Sequence, residues 1–178
     1  WEIDPATGAY TVYRVPPQPG DRLGGLLPGR LADFPRHQTY QGIHSLAESQ
    51  KDGHIFLTPS HQRRLIEFDP VTKQFFQHEM ESGFYPHTVR VDGKDRVWFT
   101  LALSNQIAMF DRASKQFTTY DLPFRSLMER ITVKLTPTLM GLTRFGIPVA
   151  NLVKVDHQST GVPLPYGLDI TPDGRVWF

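Results

Sequence analysis

An all-β fold of repeated four-stranded antiparallel units is what this sequence predicts, on three observations. One phrase restarts three times: Tyr85-Pro86-His87 leads to Val97-Trp98-Phe99-Thr100, Leu164-Pro165-Tyr166-Gly167 leads to Val176-Trp177-Phe178, and Ile43-His44 leads to Ile55-Phe56-Leu57-Thr58. A second phrase, Ile3-Asp4-Pro5-Ala6-Thr7-Gly8, returns as Phe68-Asp69-Pro70-Val71-Thr72-Lys73 and as Phe110-Asp111-Arg112-Ala113-Ser114-Lys115, each between alternating apolar residues. From Asp69 to Asp111 is 42 residues, the length of one propeller blade. A lone blade leaves its apolar faces uncovered, so the repeat predicts blades stacked about an axis: a β-propeller.

The unit from His87 to Pro123 shows how each blade is built. Thr88 to Val91 is a short strand, Asp92-Gly93-Lys94-Asp95 is a turn of the kind Asp and Gly favour, and Arg96 to Thr100 pairs back. Ile107 to Phe110 and Phe117 to Tyr120 are the third and fourth strands, joined by the Asp111 turn. Asp at the head of such a turn accepts bonds from backbone N–H groups two or three residues on. Trp98 and Trp177 fall mid-strand, where a large ring fills the wedge between blades.

On this period the blade parts are 1–16, 43–80, 85–123 and 151–178, about three blades and fewer than the four to eight that close a ring. The chain is therefore expected to be a fragment whose partners include the missing blades of its parent. It opens on Trp1 with no charged-then-apolar leader, so any targeting peptide is expected outside it. Within 151–178, Asn151 to Asp156 resembles a third strand with its Asp turn.

Two segments interrupt the repeat. Residues 17–42, rich in Gly, Pro and Leu, lengthen the Asp4-to-Asp69 interval to 65 residues and predict a long loop. Residues 124–150 predict a helical insertion: Ser126-Leu127-Met128-Glu129 fits a capping box, and Leu127, Ile131 and Leu135 follow at helical spacing until Pro137, the expected end. Leu139 to Phe145 is a second short apolar stretch. Arg125, Arg130, Lys134, Arg144 and Lys154 face only Glu129 here, so the segment predicts either a surface for a protein partner or an anionic membrane, or a helix folded over the propeller's own rim.

Composition bounds the function. The chain has 178 residues, room for one domain, and 15 Pro, 14 Gly and 12% aromatics suit short strands and tight turns. With 19 basic residues against 18 acidic there is no basic field for nucleic acid, and no nucleic-acid partner is expected. The absence of Cys rules out disulfides, thiolate metal sites and cysteine nucleophiles. It also suits an exported protein, so a periplasmic or extracellular location is expected.

The phrases Pro-His or Pro-Tyr-Gly, Asp-Gly-Arg-Val-Trp-Phe, Trp-Phe-Thr, Asn-Gln-Ile and the closing Tyr-Asp-Leu-Pro resemble the repeat of the virginiamycin B lyase (streptogramin lyase) family of propellers, with NHL-like propellers as near neighbours. Tyr85 to Pro123 and Pro165 to Phe178 match best. That resemblance implies elimination at the ester of a cyclic depsipeptide, with magnesium held by carboxylates and a histidine base in a Glu-Pro-His step. His87 takes the histidine's place, but Tyr85 stands where the Glu belongs. After Trp-Phe-x, where the family has another carboxylate, this chain has Leu101-Ala102, and the His44 unit has Pro59-Ser60.

His44, His87 and Tyr166 occupy the same place in three units, so a propeller points them at one axial mouth. His87 is the candidate general base, and His44, Tyr85, Arg90 and Tyr166 are candidate ligand-binding residues. The plainer reading is channel lining for His44 and His87, and blade-to-blade contact, the more usual role of such residues, for Tyr85, Arg90 and Tyr166. His54, His61, His78 and His157 show no metal-ligand spacing and are expected at the surface. Glu48 and Asp169 fall on strands near the channel without a paired carboxylate, so no metal ligand is assigned. The expected function is a binding or interaction scaffold; the alternative is a metal-dependent C–O lyase using His87 as base, in which case alone Mg2+ is the cofactor.

Overall fold

Alternating apolar residues broken by Asp-headed turns give the chain short antiparallel hairpins. The structure, a computed structural model, describes residues 1–18, 42–60, 62–142 and 164–178. Strands β3 (Ile43–Glu48), β4 (Ile55–Pro59), β5 (Arg64–Asp69) and β6 (Gln74–Glu79) form one four-stranded meander. Strands β7 (Pro86–Val91), β8 (Arg96–Leu101), β9 (Gln106–Asp111) and β10 (Gln116–Asp121) form a second. Two shorter hairpins flank them, β1 (Glu2–Ile3) with β2 (Tyr10–Thr11), and β11 (Asp169–Ile170) with β12 (Val176–Trp177). These are propeller blades, as the period predicts. The Asn151 to Asp156 strand and nearly all of the 17–42 loop lie outside the described residues.

The recurring turn has one mechanism in every copy. Asp69 Oδ1 accepts the N–H groups of Val71 and Thr72 at 2.8 and 3.2 Å, and Asp111 Oδ1 accepts those of Ala113 and Ser114 at 2.8 and 3.2 Å. Asp4 Oδ1 accepts the Ala6 N–H at 2.8 Å. Each turn closes on a left-handed residue, Gly8 at φ +71°, Lys73 at +61° and Lys115 at +58°. Glycine adopts that conformation freely, whereas lysine pays about 1 kcal/mol.

The core lies between the two complete blades. Phe56 and Leu65 of the first meet Val89, Val97, Phe99, Ala108 and Phe110 of the second, with Met80 and Leu101 at one end. Phe56 and Trp98 are equivalent in the repeat. Phe56 fills the wedge between these two blades and is fully buried, while Trp98, on the matching face of the second blade, points away from that wedge and is half-buried. There its indole N–H donates to Asp92 Oδ2 at 2.9 Å and its ring stacks on Tyr120.

Helix α1 (Leu127–Leu142) begins at the Ser126 cap: Ser126 Oγ accepts the Glu129 N–H at 3.1 Å, while Glu129 Oε2 reaches one residue past the cap, to the Arg125 N–H at 2.7 Å. One expectation fails. The helix runs through position 137 to Leu142, so the proline, which forfeits one i→i−4 bond, does not end it. The apolar stripe points outward, with Leu127 71%, Ile131 42% and Leu135 49% exposed, while Glu129, Val133 and Thr136 are buried. Beyond Leu142 the insertion, with Arg144 and Lys154, lies outside the described residues. No helix among them is long and apolar enough to cross a membrane.

Candidate functional site

A break in the ladder creates the mouth. In the β3–β4 pair Ile43 faces Pro59 and Ser45 faces Thr58, so His44 has no partner; in the β7–β8 pair the register skips from Pro86 to Val89, freeing His87 and Thr88. A bulge of this kind re-aims a side chain, and here it releases the equivalent histidine of each blade. The repeat's threonine closes the gap. Thr58 Oγ1 accepts the Ser45 N–H at 3.2 Å, and Thr100 Oγ1 accepts the Thr88 N–H at 3.1 Å.

The same hydroxyls reach the next blade. Thr58 Oγ1 donates to the His87 carbonyl, and Thr100 Oγ1 donates to the Tyr166 carbonyl at 3.2 Å. Each threonine therefore fixes the mouth residue of its neighbour. His44, His87 and Tyr166 stand in a row, with ring centroids 3.5 Å apart for the first pair and 3.7 Å for the second. Tyr85, in the left-handed conformation at φ +63°, lies 6.1 Å from the His87 ring.

Within the row His87 is covered and its neighbours are open: His87 is only 5% exposed, Tyr166 45%. His87 Nδ1 lies 3.3 Å from the Tyr166 carbonyl and 3.1 Å from Thr88 Oγ1. A carbonyl only accepts, so Nδ1 carries the proton and Nε2 is a lone pair. That nitrogen is buried and has no hydrogen-bond partner. Burial first, and the like charge of His44 second, push the His87 pKa down to about 4, against a smaller opposing effect of the Tyr166 carbonyl. Burial, with the neighbouring Tyr166, raises that of the Tyr85 phenol.

Arg90, a candidate ligand-binding residue, is already engaged. Its Nε pairs with Asp169 Oδ1 at 3.4 Å and its Nη1 donates to the Val89 carbonyl at 2.8 Å. Magnesium takes oxygen ligands, and the mouth offers imidazoles, phenols and threonine hydroxyls already committed to backbone. Leu101 and Ala102, where the family places an acid, are fully buried apolar residues. These donors do not fit the ion. Among the described residues no group of three or more His, Asp or Glu is arranged to hold a metal.

A second cluster, also between the complete blades, overturns the surface reading of His54 and His78. His54 Nδ1 and His78 Nε2 lie 2.7 and 2.9 Å from the two oxygens of Glu67, which is 2% exposed. Arg112 donates from Nη2 to Glu67 at 2.9 Å and to Asp52 at 2.7 Å, and from Nη1 to Asp95 at 2.5 Å. Ser49 Oγ donates to Asp95 at 2.6 Å. Burial pushes the Glu67 pKa up, yet the bonds from His78, His54 and Arg112 outweigh it and hold the carboxylate far below its usual range. The readable signal was Glu67 itself, an acid at a core-facing step of the Arg64-Leu65-Ile66-Glu67-Phe68 strand. His61 and His157 lie outside the described residues.

No family model matches the chain, and no curated protein does. Among solved structures it is similar to selenomethionine-substituted virginiamycin B lyase from Staphylococcus aureus, at 15% identity and a TM-score of 0.52, over 79% of this chain and 35% of that one. It is also similar to a streptogramin B lyase structure, at 21% identity and TM-score 0.44, over 48% of this chain and 28% of that one. The chain thus spans about a third of the length of the first structure. The likeness to the first structure shows a β-propeller fold.

Proposed function

We propose that this chain supplies the blades of a propeller binding module whose ligand seat is the mouth formed by His44, His87, Tyr166 and Tyr85. The observation that carries this reading is the neutral, covered imidazole of His87, presenting an unused acceptor between two open rings. A ligand with a flat ring and an N–H or O–H donor suits it: the ring stacks on His44 or Tyr166, and the donor reaches Nε2 as one ring gives way. Arg90, held by Asp169 and the Val89 carbonyl, is left out of the seat.

The lyase reading asks more of His87 than its surroundings supply. A general base works best with a pKa near the working pH, and one held near 4 is a weak proton acceptor at neutrality. Propeller architecture hosts many unrelated functions, so the shared fold leaves the reaction open.

The full chain titrated with benzamide, which combines a flat ring with an N–H donor, tests the seat by NMR. Expected are shifts of the His44, His87 and Tyr166 ring signals that vanish in His87→Ala and Tyr166→Ala. Ring signals that stay still across a panel of such fragments sink the reading. Opening of virginiamycin B that needs both Mg2+ and His87 replaces it with the lyase.

A further inference from the structure

A groove of about 1150 Å3 runs beside the mouth, between helix α1 and the second blade. It is walled by parts that hold one another rigidly. Ser104 Oγ donates to the Phe84 carbonyl at 3.3 Å, fixing the loop that enters β7. Gly83, at φ +89°, lies so close to Leu101 that an added Cβ would come within 2.3 Å of it. Asn105 donates from Nδ2 to the Leu122 carbonyl at 3.1 Å and accepts the Leu122 N–H at 3.1 Å, fixing the chain that leaves β10. The capped first turns of α1 form the roof.

The lining has two chemistries. Phe84, Leu103, Leu122, Phe124, Leu127 and Val133 make it apolar, while Arg63, Arg130 and Lys134 bring three cations to its rim. Among the described residues none of these three side chains has an ion pair or hydrogen bond. Arg130 and Lys134 are one helical turn apart on α1, and Arg63 faces them from the first blade. The one acid in the lining, Asp121, already accepts from Gln106 Nε2 at 2.7 Å. Gln106 Oε1 is left without a donor, an acceptor suited to a peptide N–H and of no use to a phosphate.

We propose that this groove binds an acidic, apolar-bearing segment of polypeptide, its carboxylates on Arg63, Arg130 and Lys134 and its apolar side chains on the floor. The volume slightly exceeds the range of about 300–1,000 Å3 usual for small-molecule pockets, which favours a peptide. Unpaired cations flanking an apolar floor are complementary to such a segment and repel a basic one. The groove shares no residue with the mouth, so the two sites stand or fall separately.

Fluorescence anisotropy of the full chain with a short fluorescein-labelled peptide of alternating Glu and Leu tests it, beside the Lys/Leu peptide and phosphatidylserine vesicles. The Glu/Leu peptide is expected to bind, to weaken with added salt, and to lose about tenfold or more in affinity in Arg130→Glu/Lys134→Glu. Those positions are exposed on the helix, so the fold should survive, and circular dichroism checks it. Arg63→Glu is a second, independent loss, and His87→Ala leaves peptide binding unchanged. Equal binding of both peptides, unchanged binding in the charge-reversed variants, or cation-dependent binding to vesicles with none to the Glu/Leu peptide overturns the proposal.

Discussion

Two clusters of histidine lie between the same two blades, and their chemistry is opposite. At the mouth His87 meets another imidazole, a phenol and a carbonyl; on the other side His54 and His78 meet the buried carboxylate of Glu67. The first arrangement keeps an imidazole neutral with an unspent acceptor. The second spends its bonds on Glu67 and Arg112 and ties one blade to the next. A histidine without an acid keeps an unspent acceptor here, and a histidine with one serves the fold.

Disrupting the charged cluster should have the largest effect. Arg112→Met leaves Glu67, Asp52 and Asp95 facing one another without their shared guanidinium, and is expected to cost the full chain about 3 kcal/mol in urea unfolding. A loss under about 1 kcal/mol would show that the blades are held by the Phe56, Phe99 and Phe110 core alone.

Disrupting the mouth's scaffold should cost less and act locally. Thr100→Val strands the Thr88 N–H and withdraws a donor from the Tyr166 carbonyl, at about 1–2 kcal/mol. It should also loosen the Tyr166 ring from His87, seen as loss of the cross-peak between them. A retained cross-peak would show that ring stacking alone places Tyr166.

The helix gives the smallest contrast. Leu127→Ala is expected within about 0.5 kcal/mol of neutral, because that side chain is already in water, whereas Val133→Ala should cost about 1 kcal/mol. Equal costs would mean that the outward stripe is covered in solution.

The blades were legible because period, turn and alternation all agree: Asp69 and Asp111 head the same turn and Phe56 and Trp98 the same wedge position. The mouth was legible as equivalence, since His44, His87 and Tyr166 share one place in the repeat. Its bulges were not, nor was the repeat threonine's double duty, because register slips leave no mark in residue type. The Glu67 cluster was hidden for another reason. Arg112 lies 45 residues from Glu67, about one blade away, and such contacts depend on how blades face each other. In the helix, the Ser126 cap read true, but periodicity told which residues share a face and not which way that face turns.

The protonation of His87 tests the central claim most directly. Its folded pKa lies below the unfolded value of 6.5, so the unfolded state binds more protons between about 6.5 and about 4. Stability should therefore be full above that window and fall as the pH drops through it, by about 1–2 kcal/mol after allowance for solvent screening at the open mouth. An NMR titration of the His87 imidazole in the full chain should give a midpoint near 4, rising in His44→Phe as the like charge is removed and staying below 6.5 because burial remains. A midpoint at or above 6.5 in the unaltered chain would contradict the account, since it requires a carboxylate or other anion beside the ring.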